Sequence, residues 1–477
     1  MLKIRTPSVR DYFPYEPTDD QAALFGQLDA FLRDQLPGRK VFVLRGYAGT
    51  GKTTVVGALV QWLYQMQHKY TLMAPTGRAA KVMATYAGVP ASTIHKKIYR
   101  QTSGAPAERL RFQRQPNRVE NMLYIVDEAS MISDEKAFGE TGLLDDLMGY
   151  VFEKQSNKLL LIGDTAQLPP VGQLLSPALD PDLLAHRFRA TVSSVELRQV
   201  MRQAQASGIL MNATELREEL REEAPDIQLT TKGYRDIFQM GSNKLEDGLR
   251  WAYREYGHEN TTIICRSNRN ANQYNQLIRR ALFDAEEEIE GGDYLMVVRN
   301  NYYWLPRDSE IGFLANGDFL QISKIVRREE MYGFRFAQAQ VRLVDYPDEP
   351  EIEVKLLLDT LHTESPALPS DRNNALYQAV SEDYSHLKTK AERYKEMRKD
   401  PYLNALQVKF AYALTCHKAQ GGQWQAVFVD HGFLKPDEPL GGEFARWLYT
   451  AITRASDKLF LLNFQPKLLT EQFLEES

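Results

Sequence analysis

The feature that most constrains the fold of this chain is a glycine-rich turn at residues 46–53. It reads Gly-Tyr-Ala-Gly-Thr-Gly-Lys-Thr and matches the pattern G-x-x-x-x-G-K-[ST] in full. An apolar run at 41–44 precedes it, and apolar residues at helical spacing follow it over 55–63. A strand, a glycine-rich turn and a helix in this order mark a phosphate-binding loop. The flanking elements argue against the alternative, a chance glycine-rich turn.

The loop predicts how ATP and Mg²⁺ would be held. Backbone N–H groups of such a turn surround phosphate oxygens, and the following helix adds the positive end of its dipole. Lys52 would reach the β- and γ-phosphates, and the Thr53 hydroxyl would bind Mg²⁺. The residues predicted to contact the nucleotide in this loop are Gly46, Ala48, Gly49, Thr50, Gly51, Lys52, Thr53 and Thr54.

Two further strand ends carry polar groups that suit hydrolysis. The apolar run 122–126 ends in Asp127 and Glu128. Asp127 would hold Mg²⁺ through its water shell, and Glu128 would be the general base that activates the attacking water. The run 159–162 leads to Gln167, which would sense the γ-phosphate and orient that water. Taken alone, the carboxylate pair is often a helix cap and the glutamine a polar turn residue, but the phosphate loop favours hydrolysis.

Apolar strands alternate with amphipathic helices over the first 200 residues and again near the end of the chain. The predicted strands are 41–44, 71–74, 123–126, 159–162, 262–265, 426–429 and 458–462. This alternation predicts mostly parallel sheets with helices on both faces, in two α/β domains. Residues 99–120, which are polar and basic, and residues 316–404 interrupt the pattern. In the second interruption, residues 319–358 alternate like short antiparallel strands, and a densely charged helical part follows.

Composition limits the classes of protein that this chain can belong to. Of its 477 residues, 43% are apolar and 25% are charged, which is typical of a globular protein and excludes a disordered one. The absence of an apolar run of about 18 residues and of a signal peptide, together with only two cysteines, predicts a cytoplasmic protein without a membrane span. With 58 Lys and Arg against 63 Asp and Glu, nucleic acid would have to bind in a local groove rather than in a global positive field.

A set of motifs between about residues 18 and 464 carries a family resemblance. In chain order they are PTDDQ, GYAGTGKTT, APTGRAAKVM, STIHK, IVDEASM, GDTAQLPPVG, LRQVMRQ, CRSN, NGD, TCHKAQGGQW and LYTAITRA. Together they resemble the superfamily 1B DNA helicases, the 5′-to-3′ branch that contains the phage Dda helicase and RecD-like enzymes. The resemblance implies an α/β fold of two RecA-like P-loop NTPase domains, with an inserted pin hairpin and an inserted small Src-homology-type β-barrel.

The resemblance also implies a division of the chain into domains. The expected parts are a first RecA-like domain at 1–200 with the pin near 99–120, a second RecA-like domain at 201–315 plus 405–477, and an inserted barrel with a charged helical tower at 316–404. A solvated charged helix is the simpler interpretation of the tower segment. The aromatic run 302–304 fits a buried cluster between domains better than a base-stacking platform.

Further nucleotide-site residues follow from the resemblance. Gln21 in PTDDQ resembles the glutamine that reads adenine, although the sequence alone favours an exposed helix residue. Arg202 and Arg454 resemble two arginine fingers of the second domain, which would spread charge onto the γ-phosphate oxygens. Either arginine could otherwise be a surface ion-pair partner.

The residues that would contact single-stranded DNA come from several of the matching blocks. They are Pro75, Thr76, Lys81, Thr93, His95, Thr415, His417 and Lys418, with Phe112 in the pin. Hydroxyls, a ring N–H and ammonium groups suit phosphate contacts, which would make binding largely independent of sequence. A lone histidine such as His95 is more often a core or capping residue. Phe112 would stack on the last base pair of a duplex, or would instead anchor the hairpin on its own domain.

The leading hypothesis is an ATP-driven 5′-to-3′ DNA helicase, expected to act as a monomer on single-stranded DNA and on tailed or forked duplexes. An RNA or RNA–DNA helicase of the same superfamily is the first alternative, because the sequence does not reveal tolerance of the 2′-hydroxyl. A single-strand-binding scaffold that uses ATP only as a switch is the second. The Asp127–Glu128 pair argues against that scaffold.

Overall fold

The elements of the fold come from a computed structural model that describes residues 7–101, 112–134, 141–173, 175–201, 206–223, 225–306, 309, 311–435 and 440–470. Over these residues the strands are β1 (Lys40–Gly46), β2 (Lys69–Ala74), β3 (Ala91–Thr93), β4 (Tyr99–Gln101), β5 (Phe112–Arg114), β6 (Met122–Val126), β7 (Lys158–Gly163), β8 (Thr191–Leu197), β9 (Ile237–Met240), β10 (Thr261–Cys265), β11 (Tyr294–Val297), β12 (Phe319–Met331), β13 (Phe334–Leu343), β14 (Ile352–Leu357), β15 (Leu406–Phe410), β16 (Ala413–Thr415), β17 (Trp424–Asp430) and β18 (Ala455–Leu462). The α-helices are α1 (Asp19–Arg33), α2 (Lys52–Gln65), α3 (Gly77–Ala87), α4 (Ile94–Ile98), α5 (Leu143–Val151), α6 (Pro181–Phe188), α7 (Gly208–Glu219), α8 (Leu245–Tyr256), α9 (Asn268–Leu282), α10 (Ser370–Asp383), α11 (Lys390–Met397), α12 (Cys416–Ala419) and α13 (Gly442–Ile452).

The first sheet has six parallel strands in the order β3-β2-β6-β7-β1-β8. Strand β1 lies inside it and is apolar on both faces, because successive side chains of a strand point to opposite sides. Phe42 and Leu44 join one hydrophobic cluster, and Val41 and Val43 join another on the opposite face. Helices therefore cover both faces, as the sequence predicts for a parallel sheet.

The second sheet repeats this architecture with five strands in the order β16-β10-β17-β18-β9, all parallel. Its central strands are fully buried: all five residues of β10 are buried, and residues 426–429 of β17 are 0% exposed. The strands predicted at 262–265, 426–429 and 458–462 lie within β10, β17 and β18. Two RecA-like sheets are therefore present, and the predicted fold class is confirmed.

Strands β11 to β15 form a closed barrel. Neighbouring strands are antiparallel except for β14 and β15, which pair in parallel. The antiparallel strands predicted between 319 and 358 are therefore confirmed. Two barrel strands, β11 and β15, lie outside the predicted insertion 316–404, and the division into domains stays a prediction. Where the chain leaves the barrel for the second sheet, only Ala411 and Tyr412 separate β15 from β16.

A short hairpin and a helical segment are attached to these domains. Strands β4 and β5 pair antiparallel, with Tyr99 opposite Arg114. Residues 102–111 and the side chain of Phe112 lie outside the described residues, so the proposed contact of Phe112 with DNA stays a prediction. Helix α10 packs on the barrel through Leu376 and Val380, and the densely charged run 381–400 spans the end of α10 and all of α11. Over the described residues, none of the helices has the length and apolar character needed to cross a membrane.

Candidate nucleotide site and strand-contacting surface

The phosphate loop connects β1 to α2, and its glycines are required by local geometry. Gly49 and Gly51 have φ angles of 75° and 82°, in the left-handed region that side chains disfavour. A Cβ at Gly51 would also lie 2.5 Å from the sulfur of Met201 and 2.7 Å from Nε2 of Gln21. The chain thus packs closely around the loop at the start of α2, where backbone N–H groups and the helix dipole favour an anion.

Lys52 lies at the centre of this site. Its Nζ donates hydrogen bonds to the carbonyl oxygens of Gly46 and Tyr47, at 2.5 and 2.8 Å, and lies 3.9 Å from Oδ2 of Asp164. To reach a phosphate, the ammonium would exchange these carbonyls for phosphate oxygens. Thr53, the predicted Mg²⁺ ligand, follows Lys52 in the first turn of α2 and is exposed.

The carboxylate pair lies at the end of β6, as predicted. Asp127 accepts the backbone N–H of Glu128 on Oδ1 at 2.8 Å and the hydroxyl of Tyr86 on Oδ2. Glu128 has a φ of 52°, which turns the chain sharply after the strand. Burial and the Asp127 charge raise the pKa of Tyr86 well above its usual range, so its hydroxyl stays protonated and donates. Sequence reasoning missed Tyr86, because its partner is 41 residues away along the chain.

Arg454 of the second domain meets Glu128 of the first. Its Nη1 lies 3.8 Å from Oε1 of Glu128, and its side chain donates to the carbonyls of Thr450 and Gly422 at 3.1 and 3.3 Å. With 3% exposure, Arg454 is not the surface ion-pair partner that the sequence left open. Burial raises the pKa of Glu128, and the guanidinium of Arg454 opposes that shift by stabilising the carboxylate.

The predicted sensor Gln167 lies between the same two domains. It is 7% exposed, and its Oε1 has no hydrogen-bond partner among the described residues. The next residue, Leu168, donates its N–H to Oγ1 of Thr450 at 2.8 Å and accepts from Gln420 at 2.7 Å. A buried acceptor without a partner costs free energy, so Gln167 is suited to accept a hydrogen bond from a bound water or ligand.

A second bridge across the cleft runs through Tyr449 of α13. The N–H of Ala48 in the phosphate loop donates to the Tyr449 hydroxyl at 2.8 Å, and that hydroxyl donates to Oδ2 of Asp164 at 2.6 Å. Tyr449 is 1% exposed. Burial and the Asp164 charge raise its pKa well above the usual range, which keeps the hydroxyl protonated. Asp164 and Tyr449 stand in two of the matching motifs, and this was the one signal that could have identified them.

Gln21 is fully buried against the phosphate loop, so the exposed alternative is wrong. Its Oε1 accepts the backbone N–H of Thr18, and its Nε2 donates to the Thr50 carbonyl at 3.0 Å. Together with the bond from its own N–H to the Thr18 hydroxyl, this is a capping box at the start of α1. Arg202 lies outside the described residues, whereas its neighbour Met201 donates its N–H to the Gly49 carbonyl at 3.0 Å.

In the first domain, two predicted strand-contacting hydroxyls also cap helices. Oγ1 of Thr76 accepts the N–H of Ala79 at the start of α3, and Oγ1 of Thr93 accepts the N–H of Lys96 at the start of α4. Burial lowers the pKa of His95 to about 4, so its imidazole is neutral at physiological pH. Pro75, between β2 and Thr76, is partly exposed.

Lys81 is directed to the barrel in this structure. Its Nζ donates to the Val344 carbonyl at 2.9 Å and lies 3.4 Å from Oδ1 of Asp345. Its predicted contact with DNA would require the ammonium to leave both partners or to share itself with a phosphate.

The predicted strand-contacting residues of the second domain follow β16. Thr415 precedes α12, His417 is exposed, and Nζ of Lys418 donates to Oδ1 of Asn316 at 2.6 Å. The two halves of the predicted track adjoin each other, because a Cβ at Gly421 would lie 3.3 Å from Oγ1 of Thr76.

A further contact, which we call the Arg78 junction, joins α3 to the barrel and the second sheet; it consists of Gly77, Arg78, Asp318, Phe319, Asp345 and Trp424. Nη1 of Arg78 donates to Asp345 at 3.1 Å, and its guanidinium lies over the rings of Phe319 and Trp424 at 5.3 and 5.2 Å. A Cβ at Gly77 would lie 2.2 Å from Oδ1 of Asp318. Burial raises the pKa of Asp318 to about 8. Sequence reasoning did not identify Arg78, although it stands in APTGRAAKVM.

Comparison with known proteins gives two matches to family models. An AAA domain matches residues 25–233, and a UvrD-like helicase C-terminal domain matches residues 410–462. Together the two ranges cover slightly more than half of the chain.

The individual proteins that are similar to this chain have low sequence identity to it. The uncharacterized protein R530 of Acanthamoeba polyphaga mimivirus is 22% identical over 88% of this chain and 94% of its own length. The ATP-dependent RecD2 DNA helicase of Deinococcus radiodurans is 33% identical over 41% of this chain, which spans only 24% of that protein. Among solved structures, a Pif1 helicase from Bacteroides in complex with ADP-AlF3 and single-stranded DNA is 16% identical, with a TM-score of 0.47 over 96% of this chain and 95% of that one.

Fold and site define a P-loop NTPase whose phosphate loop, carboxylate pair and buried arginine converge between two RecA-like domains. The match to a UvrD-like helicase C-terminal domain and the 33% identity to the RecD2 helicase over 41% of the chain agree with the helicase predicted from the sequence motifs.

Proposed function

We propose that this chain moves 5′-to-3′ along single-stranded DNA and separates tailed or forked duplexes, driven by ATP hydrolysis between its two RecA-like domains. The observation that carries the proposal is the pair formed by Arg454 and Glu128 across the cleft, 3.8 Å apart. A helicase of this design needs groups of both domains at the reacting phosphate, so that chemistry and domain closure depend on each other.

The residues around the cleft fit this chemistry. Lys52 would bind the β- and γ-phosphates, Arg454 and Arg202 would stabilise the charge that develops on the γ-phosphate, and Gln167 would orient the attacking water. Glu128 would take the proton of that water. Gln21, buried beside the loop, would read the adenine.

The hydroxyl of Thr53 and the carboxylate of Asp127 are hard oxygen donors of the kind that Mg²⁺ prefers. The two residues would hold the ion, Asp127 through the water shell, and the ion would neutralise charge on the phosphate oxygens. Because Asp127 already accepts two hydrogen bonds, its carboxylate has a fixed orientation.

The DNA track is proposed to cross both domains over Pro75, Thr76, Lys81, Thr93 and His95 and then over Thr415, His417 and Lys418, with Phe112 at the duplex. The contact between Gly421 and Thr76 supports a continuous path, because it joins the two halves of the track. DNA as the partner, the direction of movement, the monomeric state and the division into domains follow from the family resemblance.

Strand displacement tests this proposal directly. Two duplexes, one with a 5′ single-stranded tail and one with a 3′ tail, would be incubated with the chain, ATP and Mg²⁺. We expect displacement of the 5′-tailed duplex only. Displacement of the 3′-tailed duplex alone would contradict the direction, and ATP hydrolysis without displacement from either would leave a translocase. An RNA-tailed duplex in the same assay would reveal the alternative substrate class.

A further inference from the structure

A pocket with a volume of about 240 Å³ lies where the ends of β1 and β7 meet α13 of the second domain. Three residues of its lining carry a buried polar atom that has no hydrogen-bond partner over the described stretches of the chain: Nε of Arg45, Oγ of Ser130 and Oε1 of Gln167. Ser130 and Gln167 are 3% and 7% exposed. Because an unpaired buried polar atom costs free energy, three of them around one pocket indicate a polar ligand.

Two guanidinium groups give this pocket a preference for an anion. Arg446 of α13 lines it together with Arg45 and donates to the Thr165 carbonyl in the first domain. Neither arginine forms a salt bridge within the part of the chain that the structure describes. Burial lowers the pKa of Arg446, and an anion nearby would oppose that shift.

Three carboxylates also belong to the lining, and they limit how tightly an anion is held. Asp164 already accepts hydrogen bonds from the Tyr449 hydroxyl and from the N–H of Ala166. Asp180 caps the start of α6, and Asp182 is exposed. Since like charges repel, this mixed lining suits an anion that passes through the pocket better than one that is retained.

The pocket and the helix that follows the phosphate loop lie on opposite faces of the first sheet. Arg45 lies two residues after Val43 in β1 and therefore on the same face, where Val43 packs in one cluster with the lining residue Leu179. Helix α2 packs on the other face. The pocket nevertheless adjoins the nucleotide site, because its lining residue Asp164 lies 3.9 Å from Nζ of Lys52.

We infer that this pocket receives the inorganic phosphate formed by ATP hydrolysis and leads it to solvent while ADP is still on the loop. The inference rests on the proposed function, in which Gln167 orients the attacking water and so lies beside the γ-phosphate. A phosphate ion near neutral pH has oxygen acceptors for Arg45, Ser130 and Arg446 and a P–OH donor for Oε1 of Gln167. It would satisfy all three unpaired atoms. Arg45 and Arg446 lie outside the motifs that carry the family resemblance.

The first test narrows the open side of the pocket, where the lining residue Leu175 is exposed. Leu175→Trp is compared with Val171→Trp, a control at an exposed position of the same connection that does not line the pocket. In a single turnover with DNA, quench-flow measures bond cleavage, and a fluorescent phosphate-binding protein measures free phosphate. We expect Leu175→Trp to cleave ATP at the wild-type rate but to release free phosphate several-fold more slowly, because the route is obstructed. Val171→Trp should match the wild type in both measurements.

The second test removes a donor from the pocket. We expect Arg45→Met to raise the concentration of inorganic phosphate that half-inhibits steady-state hydrolysis by about tenfold, as for the loss of one charge-assisted hydrogen bond. The KM for ATP should stay unchanged, because Arg45 lies on the face opposite α2. Arg39→Met is the control, since Arg39 donates to the Phe188 carbonyl and does not line the pocket. Should Arg45→Met fail to fold, Ser130→Ala removes a second donor and serves for the same measurement.

Free phosphate that appeared as fast in Leu175→Trp as in the wild type would overturn the inference, even if Arg45→Met weakened the inhibition, because the pocket would then bind an anion without being its exit. Equal inhibition of the wild type and Arg45→Met by phosphate would overturn it as well. Both results would leave the proposed function intact. A wild-type chain that hydrolysed no ATP in the presence of DNA would refute the proposed function and this inference with it.

Discussion

The nucleotide cleft and the Arg78 junction both join the first domain to the rest of the molecule, but they do so by different means. In the cleft, single polar atoms meet: the Tyr449 hydroxyl, Oγ1 of Thr450 and the guanidinium of Arg454. At the junction, a buried guanidinium lies over two aromatic rings, and Gly77 fits against Asp318 without room for a methyl group. Polar contacts can be exchanged for ligand or water at small net cost, whereas close-packed contacts cannot. The difference predicts that the cleft opens and closes more readily than the junction.

The largest effect should come from breaking the chemistry of the cleft. Glu128→Gln removes the proposed base and the charge that pairs with Arg454, and we expect DNA-stimulated ATP hydrolysis to fall by about 10²–10⁴-fold. ATP binding should persist, because Lys52 and the loop amides remain. Steady-state hydrolysis and equilibrium binding of a fluorescent nucleotide measure the two quantities. Glu222→Gln, at an exposed position, is the control. Retained turnover would refute the assignment of Glu128 as the base.

The next effect concerns the electrostatics of the junction. The pKa of Asp318 is about 8 in the folded chain against an ordinary 3.8, so the folded state binds the extra proton. Its contribution to stability is therefore lost as the pH rises from about 4 to about 8. The Asp318→Asn variant does not lose this stability, because the asparagine side chain does not titrate. Relative to wild type, we expect the variant to gain about 2 kcal/mol of unfolding free energy between about pH 5 and pH 7. Urea denaturation at the two pH values measures it, and parallel profiles would show that Asp318 titrates normally.

A packing change at Gly77 tests how closely the Arg78 junction is packed. Gly77→Ala would place a Cβ 2.2 Å from Oδ1 of Asp318, whose other oxygen is held by the N–H of Ala315. We expect a destabilisation of about 1–3 kcal/mol, typical of overpacking. The control is Gly57→Ala in α2, where the nearest heavy atom would be 3.9 Å away. This control should be neutral or stabilising, because alanine favours helices. Equal stability of the two variants would contradict the close packing of the junction.

The smallest of these effects should follow from Tyr449→Phe. This change keeps the buried ring but leaves the Ala48 N–H and Oδ2 of Asp164 without their shared partner. We expect about a tenfold lower kcat for ATP hydrolysis, because one bridge between the domains is lost. Tyr256→Phe is the matched control, since its hydroxyl binds Asp457 within the second domain. Identical kinetics of the two variants would show that the Tyr449 hydroxyl has no part in coupling the domains.

Sequence patterns predicted the local parts of the site well. The phosphate loop, the Asp127–Glu128 pair and the strands of both sheets follow from short-range rules, because glycine geometry and apolar periodicity act over a few residues. The motifs predicted Arg454 as an arginine finger at the γ-phosphate, and the structure brings its guanidinium to 3.8 Å from Glu128. The roles of both residues stay predictions. The burial of Gln21 was missed, because the phosphate loop that covers it lies 29 residues further along the chain.

Contacts between distant segments were beyond the reach of local rules. Ala48 and Tyr449 are 401 residues apart, and Arg78 and Asp345 are 267 residues apart. Neither pair has a periodicity or a spacing that links its members. The same reasoning explains Lys81, whose barrel partners become neighbours only when the β12–β14 strands fold against α3.

The two residues between β15 and β16 couple the barrel closely to the second sheet. Strand β15 belongs to the barrel, β16 belongs to the second sheet and ends at Thr415, and Ala411 and Tyr412 between them are buried. The Tyr412 hydroxyl also accepts the N–H of Tyr294 in β11, at 3.0 Å. This bond fixes the segment that enters the barrel to the segment that leaves it. A linker of two residues that is anchored in this way cannot lengthen when the barrel moves. We therefore expect a displacement of the barrel to move the start of α12, which follows Thr415, with it.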